Sequence, residues 1–143
     1  MLIKIKNNIK EISKVCDKVK KFCADNKIPE KKYHDIALIL DEIITNVINY
    51  AYPDGKEHEF NLEINKNENH IAIKLIDSGI PFDPLIRMDP DVTSSIEERK
   101  VGGLGIFIVK QLSEIVEYSR INNRNQLSIT VAIYNNKEED HGN

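Results

Sequence analysis

Hydrophobic residues recur along the chain with two spacings, one typical of strands and one typical of helices. Isoleucine alternates with lysine at residues 3–6, which predicts a short first strand. Apolar residues at helical spacing then predict a first helix over 9–22 and a second helix from about Glu30. Pro53 and Gly55 end the second helix, because neither residue type continues a helix well. The first part of the chain is therefore predicted to be a strand followed by two helices.

The rest of the chain combines paired strands with a further helix. Apolar and polar residues alternate on both sides of two polar turns, one of them Asn122-Asn123-Arg124-Asn125, which predicts two hairpins. The predicted strands are residues 60–64, 71–75, 116–121 and 127–133, and helical spacing runs between them over 104–115. Hairpin strands with intervening helices predict an α+β fold. We expect a two-layer α/β sandwich, a mixed and mainly antiparallel sheet with its helices on one face.

In one stretch of the chain, the hydrophobic residues show neither helical nor strand spacing. Residues 79–101 contain three prolines, several acidic residues and the charged cluster Glu97-Glu98-Arg99-Lys100. A segment of this length inside a compact domain is usually a functional loop, so we predict a lid. We expect residues 1–134 to form a single domain and the polar residues 135–143 to form a flexible tail.

Composition and charge narrow the classes of function. The 143 residues include 20 Lys and Arg against 23 Asp and Glu, for a formal net charge of -3. That balance does not favour binding to a polyanion, so we expect no direct nucleic-acid partner. The apolar runs are too short to span a membrane, and the N-terminus has no hydrophobic leader. We therefore expect a cytoplasmic protein without a membrane partner.

A polar stripe runs along the second predicted helix, where Glu42, Asn46 and Asn49 stand at i, i+4 and i+7. Asparagine is a mediocre helix former, and the neighbouring positions are nearly all apolar. The stripe is either the solvated face of an amphipathic helix or a functional site. In a site, the carboxylate would accept a proton and the amide oxygen one turn away would bind Mg²⁺. The spacing alone leaves both interpretations open.

A second motif, Asp77-Ser78-Gly79-Ile80-Pro81, directly follows an apolar strand. Asp, Gly and Pro are common in ordinary turns at the end of a strand. In the functional interpretation, the carboxylate of Asp77 accepts a hydrogen bond from an exocyclic amine. Gly79 would then let the backbone pass close to a flat ring.

A third motif, Gly102-Gly103-Leu104-Gly105, opens the third predicted helix. Glycines at a helix start expose backbone N–H groups at the positive end of the helix dipole, which favours phosphate. A flexible linker is the alternative, but linkers rarely run straight into a strongly apolar helix. We therefore interpret the motif as a phosphate site, although no Walker Gly-Lys-Ser/Thr sequence follows.

The order of the three motifs resembles that of the GHKL ATPases, whose histidine-kinase-like domain has the Bergerat fold. Within this superfamily, three strings are similar to those of bacterial anti-sigma-factor serine/threonine kinases. They are Glu42-Ile-Ile-Thr-Asn46, Tyr50-Ala51-Tyr52-Pro53 and Val101-Gly-Gly-Leu-Gly-Ile-Phe107. The resemblance extends from Asp41 to Ile133.

The resemblance implies that the chain binds ATP with Mg²⁺, and it implies roles for individual residues. Glu42 would be the general base, and Asn46 would coordinate Mg²⁺. Asp77 would bind the adenine amino group, with Gly79 packed under the base. Further nucleotide contacts are implied for Asn49, for Arg99 or Lys100 at the γ-phosphate, for Gly103, Leu104 and Gly105 at the phosphates, and for Ser128 or Thr130 as the hydroxyl that supports Asp77.

The resemblance also implies a partner. The chain would be an anti-sigma regulatory factor that phosphorylates a serine or threonine of a small anti-anti-sigma (STAS-like) protein. The unphosphorylated partner would compete with a sigma factor for the chain, and a homodimer is plausible for this family. The alternative is a nucleotide-gated module that binds partners without phosphotransferase activity, in which ATP only shifts conformational populations.

Overall fold

The computed structural model describes residues 1–86 and 103–134 of the chain. The elements in chain order are β1 (Leu2–Lys6), α1 (Glu11–Asp25), α2 (Glu30–Tyr50), β2 (Glu59–Asn67), β3 (His70–Asp77), a short 3₁₀ turn (Pro84–Ile86), α3 (Gly103–Leu112), β4 (Ile115–Ile121) and β5 (Arg124–Ala132). Each strand and helix that the hydrophobic spacing predicts is present. The differences concern where the elements begin and end.

The five strands form one sheet in the order β1-β2-β3-β5-β4. Hairpins join β2 to β3 and β4 to β5, and the pairing of β3 with β5 connects the two hairpins. All four described strand pairs are antiparallel, so the described sheet is antiparallel throughout rather than mixed. The predicted α+β architecture is confirmed.

The core lies between the helices and one face of the sheet. Alternate residues of β1, β2, β3 and β5 are buried, because successive side chains of a strand point to opposite faces. The buried strand residues are almost all Ile, Leu or Val, and they pack with the apolar stripes of α1 and α2 in a single cluster. The opposite face of the sheet carries polar and charged residues, which gives the two-layer arrangement predicted from the sequence.

Helix α2 carries the polar residues of interest across this core. It begins directly after Pro29, whose φ of −56° and ψ of 143° place it just outside the helix. Its buried positions recur three or four residues apart, and they are apolar apart from Lys32 and Asn46. Asn46 therefore lies on the face of α2 that packs on the sheet.

The last hairpin has a shorter turn than the sequence predicts. Asn122 and Asn123 have φ values of 52° and 60°, and Ile121 pairs directly with Arg124. Two consecutive residues with positive φ are typical of a two-residue hairpin turn, and asparagine tolerates this conformation well. The predicted turn over residues 122–125 is therefore wrong at its end, because Arg124 and Asn125 belong to β5.

Some predictions fall where the structure gives no description. Most of the predicted lid, residues 87–101, and the predicted tail, residues 135–143, lie outside the described residues. Within the described part of the chain, none of the helices combines the length and the hydropathy needed to cross a membrane.

Candidate functional site

A narrow cleft lies between α2 and the inner face of the sheet, beside the end of β3. The space within it is about 320 Å³ when the part open to solvent is included. Apolar side chains of α2, β3 and β5 form much of its lining. The other lining residues are Asn46, Asp77, Phe82, Pro84, Tyr118 and Asn125. An apolar cleft with a few polar groups is typical of cofactor sites.

Asp77 is the last residue of β3, and only 6% of it is exposed. Its Oδ1 accepts hydrogen bonds from the backbone N–H of Gly79 and from Nδ2 of Asn125, both at 2.9 Å. Within the described part of the chain, no group donates a hydrogen bond to Oδ2. The protein therefore holds the carboxylate through one oxygen and leaves the other available as an acceptor.

The surroundings of Asp77 have opposing effects on the pKa of its carboxyl group. Burial raises the pKa of the carboxyl group, because the charged form loses its solvation. The hydrogen bonds from Asn125 and from Gly79, and then the positive charge of Arg120, lower this pKa. Arg120 is held nearby, since its Nη1 donates to the backbone oxygen of Gly79 at 2.8 Å. Three groups at the end of β3 thus stabilise an ionised carboxylate against the cost of burial.

Asn125 lies opposite Asp77 in the pairing of β3 with β5, and it is 4% exposed. Besides Asp77, its Nδ2 donates to the backbone oxygen of Ile80 at 2.7 Å. Its Oδ1 accepts from the hydroxyl of Tyr118 at 2.5 Å and from the backbone N–H of Phe82 at 3.3 Å. One amide therefore connects β3, β4 and the segment that follows β3.

Gly79 packs against the end of α2. A Cβ at this position would lie 2.3 Å from the backbone oxygen of Ala51 and 2.5 Å from its Cβ. The backbone N–H of Ile80 donates to the same oxygen at 2.9 Å. Close contact with α2 therefore explains the glycine, and its predicted place under a base stays a prediction.

Asn46 is buried without a hydrogen-bonding partner. It is 6% exposed and lines the cleft, and its side chain forms no hydrogen bond with the residues that the structure describes. Within the described part of the chain, Ser113 Oγ is the one fully buried side-chain oxygen or nitrogen without a partner, so the amide of Asn46 reaches the open space of the cleft. Asn46 therefore has unused hydrogen-bonding or coordinating capacity at the cleft, and it lies on the face of α2 that packs on the sheet rather than on the solvated face.

Glu42 lies one turn before Asn46 on α2 and contacts the start of α3. An ideal Cβ at Gly105 would lie only 1.7 to 2.1 Å from the carboxylate atoms of Glu42. The carboxylate of Glu42 thus occupies the space beside the Gly105 backbone, where only glycine leaves room. The structure brings together two of the predicted motifs, the polar stripe of α2 and the glycines of α3.

The donor set at the cleft fits a magnesium ion that is shared with phosphates. Mg²⁺ in nucleotide sites usually binds one or two protein oxygens, phosphate oxygens and water. The unpartnered amide of Asn46 offers one such oxygen. Over residues 1–86 and 103–134, no cluster of three or more His, Cys, Asp or Glu residues could hold a metal on its own.

Three of the predicted site residues do not line the cleft. Asn49 is exposed on α2, as the solvated-face interpretation expects. Ser128 and Thr130 pair with Lys74 and Ala72 on the outer face of the sheet, because they are out of phase with the buried residues of β5. The prediction that one of these two hydroxyls supports Asp77 is therefore corrected: Asn125 has that position.

The remaining predicted phosphate contacts lie at the start of α3 or outside the described residues. Gly103 and Leu104 are the first residues of α3, so the predicted phosphate motif does open a helix. Arg99 and Lys100 lie outside the described residues. Their predicted contact with the γ-phosphate stays a prediction.

Sequence reasoning missed Asn125 and Tyr118. Asn125 was assigned to a turn because it follows two asparagines and an arginine. A signal was present, since Asn125 is in phase with Leu127, Ile129 and Val131, which alternate along β5 and are buried. A polar residue in the buried phase of a strand needs a partner, and this would have directed attention to it.

Comparisons with known proteins agree with this architecture. Residues 5–131 match the family described as histidine kinase-like ATPase domain. The serine-protein kinase RsbW of Oceanobacillus iheyensis is 31% identical over 110 residues, which cover 73% of this chain and 67% of that protein. The serine/threonine-protein kinase BtrW of Bordetella bronchiseptica is 22% identical over 95 residues, which cover 66% of this chain and 67% of that protein.

A solved structure has the same fold. In the SiaB-SiaC complex from Pseudomonas aeruginosa, the matching chain superposes with a TM-score of 0.61 at 14% identity. The superposition covers 92% of this chain and 88% of that chain. The family match runs from the end of β1 into β5 and so includes all the residues that line the cleft. The resemblance found in the sequence is confirmed: the chain belongs to the histidine kinase-like ATPase domain family.

Proposed function

We propose that the chain is an ATP-dependent protein serine/threonine kinase that acts as an anti-sigma regulatory factor. The observation that carries the proposal is the arrangement of three groups along α2 and the cleft. Asp77 and Asn46 line the cleft with unused acceptor oxygens, and Glu42 lies one turn before Asn46 on α2, against Gly105. Four residues of helix rise about 6 Å, so these groups are spread along the length of a nucleotide rather than gathered at one point.

Each end of the proposed nucleotide site has a physical basis. At one end, Oδ2 of Asp77 accepts a hydrogen bond from the exocyclic amine of adenine. At the other end, the backbone N–H groups of Gly103 and Gly105 bind phosphate at the start of α3. Asn46 contributes the protein oxygen for Mg²⁺, and the metal would neutralise phosphate charge when bound.

Glu42 is the proposed general base. It accepts the proton of a serine or threonine hydroxyl as that oxygen attacks the γ-phosphorus of ATP. The new oxygen–phosphorus bond forms as the bond to the β-phosphate oxygen breaks, and ADP leaves. Phosphoryl transfer depends mainly on positioning and charge stabilisation, so the close packing of Glu42 on Gly105 supports this role.

The proposed substrate is a small anti-anti-sigma (STAS-like) protein, and the proposed competitor for the chain is a sigma factor. The names of the relatives support a protein substrate, since both are called serine or serine/threonine kinases. Arg99, Lys100 and Asn49 are proposed as additional phosphate contacts.

The test is transfer of labelled γ-phosphate from ATP, with Mg²⁺, to candidate STAS proteins. We expect phosphate on a serine or threonine of one partner, and Glu42→Gln should retain ATP binding but lose transfer at least about a hundredfold. Asp41→Asn removes an exposed carboxylate from the neighbouring position and is the matched control, with full transfer expected. Complex formation that depends on ATP, without phosphate transfer, would instead identify a nucleotide-gated binding module.

A further inference from the structure

Every hydrogen-bonding position of the Asn125 side chain is used. Its two N–H groups face two acceptors, Oδ1 of Asp77 and the backbone oxygen of Ile80. Its oxygen receives two donors, the Tyr118 hydroxyl and the Phe82 N–H. An amide rotated by 180° would place its oxygen against a carboxylate and a carbonyl, so these partners set its orientation.

The bond from Asn125 determines which oxygen of Asp77 faces a ligand. Oδ1 receives both the Asn125 Nδ2 and the Gly79 N–H, while Oδ2 receives no hydrogen bond from the described residues. Without Asn125, the carboxyl group would have one anchor instead of two and could rotate about its bond to Cβ. The plane of the carboxylate would then no longer be fixed, and its acceptor lone pairs would lose their set direction.

The same amide also holds the wall of the cleft. Ile80 and Phe82 belong to the segment after β3, and Phe82 lines the cleft and stacks on Tyr50 with ring centroids 5.2 Å apart. Asn125 thus links the orientation of the carboxylate to the position of an aromatic wall.

We propose that Asn125 is a positioning residue that determines base specificity, by holding Asp77 so that one unprotonated acceptor oxygen faces the base. This proposal rests on the proposed nucleotide site. A fixed carboxylate oxygen accepts a hydrogen bond from the 6-amino group of a purine. A 6-oxo purine would place its own carbonyl oxygen against the carboxylate, and lone pairs on both atoms repel. A site built for an N–H donor can reject such an analogue strongly, because its buried acceptor is left unpaired.

The experiment compares the binding of Mg-ATP and Mg-GTP to the full chain by calorimetry. The wild type is expected to prefer ATP. Asn125→Ser replaces the amide donor to Asp77 by a shorter hydroxyl side chain and leaves room for water, and we expect the ratio of ATP to GTP affinity to fall about tenfold or more. Asn125→Asp keeps the acceptor for Tyr118 and Phe82 while it loses the donor, and it should lower the same ratio if the serine variant does not fold.

Tyr118→Phe is the matched control. It removes one of the two donors to the same amide but keeps the bond from Asn125 to Asp77. We expect it to weaken ATP and GTP by the same factor, so that their ratio stays as in the wild type. An unchanged ratio in both Asn125 variants, or an equal loss of preference in Tyr118→Phe, would overturn the proposal. A wild type that binds neither nucleotide would refute the proposed function itself.

Discussion

Buried polar side chains are concentrated at the cleft. Among the described residues, four polar or charged residues are buried, and three of them, Asn46, Asp77 and Asn125, line the cleft. Asn125 is fully hydrogen-bonded, Asp77 is bonded through one oxygen, and Asn46 has no bond within the described chain. Because burial of a polar group costs solvation, polar residues kept at an otherwise apolar cleft indicate a functional site.

Asp77→Asn is expected to make the unliganded protein more stable at neutral pH. Burial raises the pKa of Asp77 in the folded state, above the ordinary value of about 3.9 in the unfolded chain. Between these two pKa values the folded protein binds more protons, so the free energy of unfolding falls as pH rises through that interval. Above the folded-state pKa the buried charge therefore lowers stability, whereas asparagine keeps an acceptor oxygen without the charge.

Urea unfolding at pH 7 and at about pH 4 tests this expectation. The midpoint for Asp77→Asn should exceed that of the wild type at pH 7, and the difference should shrink at the lower pH. Asp41→Asn, at an exposed position of α2, should show no comparable change. A less stable Asp77→Asn protein at pH 7 would contradict the stated balance between burial and hydrogen bonding.

Gly105→Ala is expected to reduce phosphate transfer without destabilising the fold. The new Cβ overlaps the carboxylate of Glu42, which is the mobile end of a side chain and can move away. Alanine is also about 1 kcal/mol more favourable than glycine inside a helix, so the fold should tolerate the change. We expect phosphate transfer to fall at least about a hundredfold because the base is displaced. Transfer assays and urea unfolding of the same preparation measure both effects, and unchanged transfer would argue against Glu42 as the base.

At the level of elements, the segment after β3 depends on the end of α2. Gly79 fits closely against Ala51, the N–H of Ile80 bonds to its backbone oxygen, and the N–H of Ser78 donates to the Tyr52 hydroxyl at 3.3 Å. This contact places the segment, and with it Phe82, at the wall of the cleft. Helix α2 therefore positions the site in two ways, through Glu42 and Asn46 in its second half and through Ala51 directly after its last residue.

Gly79→Ala should destabilise the fold, unlike Gly105→Ala. Here the Cβ would meet backbone atoms of Ala51, 2.3 Å from O and 2.7 Å from C, which cannot move without shifting α2 or the strand end. Overpacking of this kind costs about 1 to 3 kcal/mol. Urea unfolding should show a lower free energy of unfolding by about 2 kcal/mol. A midpoint equal to that of the wild type would show that this contact is looser than the structure indicates.

At the level of the whole molecule, the cleft exists only when one helix and three strands are assembled. Its lining comes from α2, β3, β4 and β5 together with Phe82 and with Pro84 of the 3₁₀ turn. A ligand that binds only the assembled cleft must stabilise the folded state by mass action. Nucleotide binding and global stability are therefore coupled in this domain.

Mg-ATP at about 100 times its dissociation constant should raise the free energy of unfolding by about 2.7 kcal/mol. For a chain of this size, that corresponds to an increase in Tm of about 8 °C. Thermal melts with Mg-ATP, with Mg²⁺ alone and with ATP plus chelator measure the increase and its dependence on the metal. Asp77→Asn and Asn46→Ala should each show a smaller increase, and the absence of any increase in the wild type would count against ATP as the ligand.

The sequence by itself determined the elements, their order, the family and the three motifs, because these depend on local spacing and on short strings of residues. It did not determine which residues support Asp77. The hydroxyls of Ser128 and Thr130 were the expected candidates, but a strand alternates its faces, and only pairing across the sheet shows which face meets Asp77. The tertiary structure decided this through the register of β3 with β5, which places Asn125 beside Asp77 although 48 positions separate them in the chain. Such a contact follows from non-local strand pairing and from a two-residue turn, neither of which local periodicity specifies.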